Sequence, residues 1–167
     1  MTALFHLSDR PDISIFRPRP SDYTDSAVVW AISETHLANY LLPRDCPRVT
    51  FRAAPDSTPA DVDALLGADR AVVAIEAGWL AGVRTAALHR YAMPQETFTL
   101  HDPDAGYWLS RAPVIPAGIE TLSDLPTAIA AQGATLRVLP SLWPLHDAVQ
   151  ASSLTFSMIR MRNAAPR

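Results

Sequence analysis

Lysine is missing from this chain: all 14 basic side chains are arginine. That excludes a lysine Schiff base and a P-loop lysine. Cysteine occurs once, as Cys46, so no disulfide can form within the chain and a zinc site would need other ligand types. Glycine is scarce, with 6 residues against 15 prolines, so short connections with stiff entries are expected. No apolar run approaches the roughly 18 residues of a membrane span. The signatures G-x-G-x-x-G, Walker A, H-E-x-x-H, G-x-S-x-G and the EF-hand loop are absent, which disfavours the common dinucleotide, phosphohydrolase, zincin and serine-hydrolase designs. Excess charge is small, −3 in all, so nothing predicts general nucleic-acid or membrane-surface binding. The opening residues lack the basic and apolar regions of a secretory signal. The expected compartment is the reducing cytoplasm.

What is present suits a globular core. Of 167 residues 49% are apolar and 19% charged, enough to bury a core and too apolar for disorder. No repeat, low-complexity tract or long linker appears, so residues 1–167 read as a single globular domain. Alternating or β-branched runs predict strands at Ala3–Leu7, Ile13–Ile15, Ser26–Ile32, Arg48–Arg52, Ala71–Glu76, Glu96–Leu100, Gly106–Ser110 and Thr135–Leu139. Ser33 opens a helix through Tyr40, and Pro43 stops it. Thr58 and Pro59 start another helix, which ends at Gly67. Helical spacing predicts further helices over Gly78–Tyr91 and Ser123–Ala131. Between Leu145 and Asn163 apolar residues recur at three- and four-residue steps, which predicts one long C-terminal helix. The pattern is that of an α+β fold with a mixed, partly antiparallel sheet.

Several side-chain groups can carry chemistry. His6 and Ser8 share a face of the first strand, because strand side chains alternate. Arg44-Asp45-Cys46-Pro47-Arg48 is the densest polar group. Two arginine forks four apart can clamp a phosphate or carboxylate, and nearby they would also lower the Cys46 thiol pKa. A cysteine nucleophile would need a histidine, with His6, His36 and His101 as candidates by type. The competing reading is a turn stapled by Arg–Asp pairs around an inert, buried thiol. Asp102 and Asp104, next to His101, fit a turn better than a metal site, since the loop has no regular ligand spacing. Tyr107 and Trp108 lie on opposite faces of one strand, so at most one faces the core. Arg160 and Asn163 share a helical face with Phe156 at a polar end.

The blocks LFHLSDRPDISIFRPRP (Leu4–Pro20), VVWAISE (Val28–Glu34), LPRDCPRVTF (Leu42–Phe51), HDPDAGYWLSRAPVIP (His101–Pro116) and FSMIRMRNA (Phe156–Ala164) resemble an uncharacterised bacterial family, a domain of unknown function. A fainter resemblance is to the ADP-ribosyltransferase-type fold. It implies that His6 and Ser8 contact a nicotinamide ribose and amide, and that Tyr40 stacks on the ring. The carboxylate of that pattern, on a late strand, has no clear match, although Glu96 and Glu120 stand in the right region. On this reading His6, Ser8, Tyr40, Arg44 and Arg48 line a pocket for an NAD-type nucleotide, bound or used as substrate in ADP-ribosyl transfer. The alternatives are a non-catalytic binding or interaction protein and a Cys46-dependent hydrolase. No metal is expected.

Overall fold

Short runs of β-branched and aromatic residues, cut by proline and polar turns, fold here as strands rather than long helices. The computed structural model describes residues 1–167. In chain order the elements begin with β1 (Leu4–Ser8), β2 (Val29–Ser33), a 3-10 helix (Glu34–Tyr40) and β3 (Arg48–Arg52). A short α1 (Pro59–Asp61) then runs into a wider π turn (Val62–Leu66), followed by β4 (Ala71–Glu76), α2 (Leu80–Thr85) and β5 (Leu88–Met93). The remainder is β6 (Phe98–Asp102), β7 (Tyr107–Ser110), β8 (Gly118–Leu122), α3 (Leu125–Ala131), β9 (Thr135–Leu139), α4 (Trp143–Gln150) and β10 (Thr155–Ile159). No helix is long and apolar enough to cross a membrane.

The strands form two sheets, one of six strands in the order β6-β7-β2-β1-β5-β8 and one of four in the order β10-β3-β4-β9. Pairing is antiparallel in the larger sheet, while the smaller is mixed because β4 and β9 run parallel. The α+β class and the partly antiparallel pairing therefore stand. Sequence reading places no boundary within 1–167, whereas the contacts divide the chain into two compact units. The first comprises Met1–Leu37 with Ala87–Ser123, the second Ala38–Ala86 with Asp124–Arg167.

Each unit has its own apolar core. In the first, Leu4, Val29, Ala31, Tyr91 and Met93 present one sheet face, and Phe16 and Val114 pack on it. Phe16 and Val114 exchange both backbone hydrogen bonds at 2.8 Å, so the covering loops are themselves tied together. In the second, Val72 and Ala74 of β4 pack with Val49, Phe51, Leu142 and Val149. Val73 and Ile75, on the other face of β4, are also fully buried. A strand covered on both faces needs an unbroken apolar run, which AVVAIE supplies. Each such side chain contributes about 1.5–3 kcal/mol on burial.

Three sequence expectations change. The long C-terminal helix does not form: α4 ends at Gln150 and β10 pairs with β3, Phe156 opposite Phe51 and Met158 opposite Val49. Ser152, Ser153, Thr155 and Ser157 are poor helix formers. The turn is fixed by tertiary contact, the Ser153 N–H and hydroxyl both donating to Asp61 Oδ2 at 2.7 and 2.5 Å. The helix expected over Gly78–Tyr91 stops at Thr85, and Leu88–Met93 becomes a central strand between β1 and β8. Ile13–Ile15 forms no strand; that loop contributes only isolated bridges at Phe16 and Arg19.

Candidate functional site

Residues paired directly across a sheet share a face. His6 pairs with Tyr91, Ser8 with His89, and His89 with Thr121. These residues continue the face that Leu4, Tyr91 and Met93 present to the core, so His6, Ser8, His89 and Thr121 form a polar strip across β1, β5 and β8 beyond the part that Phe16 covers, with His6 at the boundary. His6 Nδ1 lies 2.9 Å from the Trp30 carbonyl oxygen. A carbonyl only accepts, so Nδ1 carries a proton and donates. The imidazole also packs against Phe16, ring centroids 4.7 Å apart. Hydrogen bond and ring contact together fix its orientation. Ser8 Oγ accepts from the Arg10 N–H at 3.1 Å, and His89 Nδ1 lies 3.0 Å from Thr121 Oγ1. The buried Tyr91 hydroxyl accepts from Ile13 N–H and donates to the Arg10 carbonyl, pinning the loop beside the strip.

A second polar group in the same unit surrounds His36. Its Nδ1 is 3.1 Å from Ser33 Oγ and 3.0 Å from Thr35 Oγ1, and the two hydroxyls are 3.1 Å apart. Gly106, at φ +72°, presses on this group: a Cβ there would stand 2.5 Å from His36 Cγ and 2.6 Å from Ser33 Oγ. The Gly106 carbonyl accepts from Ser33 N–H at 2.9 Å. Asp102 builds the turn that carries Gly106, its Oδ1 accepting from Asp104 and Ala105 N–H at 2.9 and 3.0 Å. The Asp102–Asp104 loop is thus a turn, as its composition suggested. Trp108 packs on the core while Tyr107 faces the opposite side, edge-on to Trp30 at 5.2 Å.

The remaining candidates belong to the second unit. Tyr40 ends the 3-10 helix and is half-buried, and Arg44 is exposed. Arg48 is buried, and its guanidinium donates to four backbone carbonyls: Asn39 at 3.1 Å, Pro43 at 2.8 Å, Arg44 at 3.3 Å, and Cys46 at 2.9 and 2.8 Å. The fork expected to grip an anion together with Arg44 holds the 39–46 loop instead. Cys46 is fully buried, and that burial pushes its thiol up to about 11, with Arg48 opposing and Glu76 adding to the rise. An activated nucleophile needs the reverse shift. No three histidine, cysteine, aspartate or glutamate side chains stand together as metal ligands.

Sequence reading found His6 and Ser8 but not their partners His89 and Thr121. Strand alternation carries the first pair; the second meets β1 only through pairing across 81 residues of chain, Ser8 to His89. Sequence reading takes Ser33 as a helix cap and His36 as a histidine candidate by type, without drawing their pairing three residues apart.

A family model described as "Family of unknown function (DUF6886)" matches residues 5–164. The chain belongs to this family. The DUF6886 match spans both units, so the polar strip and the Arg48 staple both fall inside it. No curated protein and no solved structure matches the chain.

Proposed function

We propose that this DUF6886 chain binds a small polar ligand of the NAD-nucleotide type on the β1–β5–β8 face, without a transfer reaction. The observation that carries the reading is one strip of His6, Ser8, His89 and Thr121. The His6 ring is held in place by the Trp30 carbonyl and Phe16. A fixed imidazole beside the Ser8 and Thr121 hydroxyls suits the polar groups of a ribose or an amide. Fixed partners also reduce the ordering cost of binding. Transfer would call for a carboxylate on the same face. Glu120 pairs with Arg90, one residue out of step with the His89–Thr121 pair, and so lies on the opposite face in an ion pair. Glu96 is exposed in the short turn before β6.

Thermal unfolding with millimolar NAD tests the proposal. A ligand at ten times its Kd stabilises by about 1.4 kcal/mol, a rise of roughly 3–6 °C for a chain of this size. His6→Ala should abolish the shift, and His89→Ala should reduce it. NAD should remain intact by chromatography. No shift with the unmodified chain overturns the proposal, and cleavage of NAD overturns its non-catalytic part.

A further inference from the structure

The segment after β10 is held almost as a bound peptide would be. The β10 ladder ends at Ile159, and Arg160 turns the chain at φ 57°, the one non-glycine residue with positive φ. From there side chains read the segment. Asn163 Nδ2 donates to the Asp45 carbonyl at 2.7 Å. The buried Glu76 carboxylate accepts from Ala165 N–H through both oxygens, at 3.0 and 3.2 Å. Trp143 Nε1 donates to the Ala165 carbonyl at 2.7 Å. Both main-chain groups of one residue are thus met by side chains of the second unit. Pro166 holds Ala165 extended so that they stay presented. Arg167 lies over the Trp143 ring at 4.4 Å and makes two bonds to Asp147, at 2.8 and 3.1 Å.

Main-chain reading of an extended segment, plus a stacked and paired arginine, is the usual composition of a short-peptide site. We propose that residues 160–167 are a releasable strap seated in a peptide-reading site of the second unit, and that this site accepts an extended, arginine-bearing peptide of another chain in trans. The strap's outer residues Arg162, Asn163, Ala165, Pro166 and Arg167 are exposed, while Met161 packs on the second core, so lifting 162–167 with Met161 left in place exposes little apolar surface beyond the Trp143 ring. Asp45 adjoins Cys46 in sequence, and the Glu76 carboxylate is close enough to act electrostatically on its thiol. Loss of both anchors loosens the surroundings of the buried thiol, which makes it the reporter of strap opening, independent of the nucleotide-type reading.

The experiment is alkylation of Cys46 in the folded full-length chain, where the rate tracks the open population when reclosing is fast. Trp143→Ala removes an indole bond and the cation–π contact and should accelerate labelling on the order of tenfold. Arg167→Ala should accelerate it about fivefold. A synthetic peptide of residues 162–167, at the millimolar level that replaces an intramolecular partner, should slow labelling of Arg167→Ala. Asp124→Ala, which removes the α3 cap at Thr127 N–H, is the control for general destabilisation and should leave labelling near that of the unmodified chain. Unchanged rates in both strap variants, an equal rise in Asp124→Ala, or no protection by the peptide would each overturn the proposal.

Discussion

Replacing Arg48 by Met decides between two roles for one guanidinium. As an anion clamp Arg48 would be dispensable for folding, and its loss would be felt only in ligand binding. The structure makes it a staple, five donor contacts reaching four carbonyls of the 39–46 loop from a side chain only 2% exposed. Hydrogen bonds from a charged donor contribute about 1.5–3 kcal/mol each, but those sharing one group are far from additive. Removing the donor also leaves carbonyls buried without it, so a loss of about 3–5 kcal/mol is expected for Arg48→Met. Arg48→Lys keeps a charge and three donors but not the planar fork, and should recover part of the loss. Arg44→Met, at an exposed site, should stay within about 0.5 kcal/mol. The assay is urea unfolding followed by tryptophan fluorescence and by circular dichroism, with the slope checked so that midpoints can be compared. An Arg48→Met variant within about 1 kcal/mol of the unmodified chain would refute the staple argument.

Other outcomes follow from the same geometry. Gly106→Ala should destabilise by about 2–4 kcal/mol through its positive φ and its clash with His36, and more than Gly133→Ala, whose added Cβ meets only Arg70 at 3.8 Å. Urea unfolding of both variants ranks them; equal losses would mean that the His36 contact yields freely. The Cys46 thiol, raised from 9.0 to about 11, retains its proton in the fold at pH values where the unfolded chain loses it. Its contribution to stability is therefore full below pH 9 and falls as pH rises through 9 to 11. Cys46→Ala should flatten that part of the stability-versus-pH curve, and an unchanged slope would show that the thiol titrates normally. At pH 8 the same shift leaves about a hundredfold less thiolate in the closed fold than in an ordinary cysteine, so alkylation should proceed through openings that relieve the burial.

Short-range physics was legible in the sequence. Arg48–Arg52, Ala71–Glu76 and Thr135–Leu139 occupy the stretches expected of them, because alternation and β-branched runs act within a few residues. The Thr58-Pro59 helix start and the Asp102 turn were equally local. The family blocks were visible as strings. Long-range competition decided the rest. Leu88–Met93 has helical spacing and four strong helix formers in Leu88, Arg90, Ala92 and Met93, yet it fills the gap between β1 and β8, where pairing on both edges outweighs that preference. The chain after Gln150 turned to a strand because Asp61, some 92 residues earlier, holds Ser153. Arg48 illustrates the same division for function. Its residue type suggested an anion site, but whether a guanidinium meets phosphate or carbonyl depends on which acceptors the fold brings within 3 Å. Composition and periodicity determined β3, β4, β9 and the local turns; three-dimensional packing decided β5, β10 and which polar groups face each other, since hydrogen bonding is set by distance in space rather than along the chain.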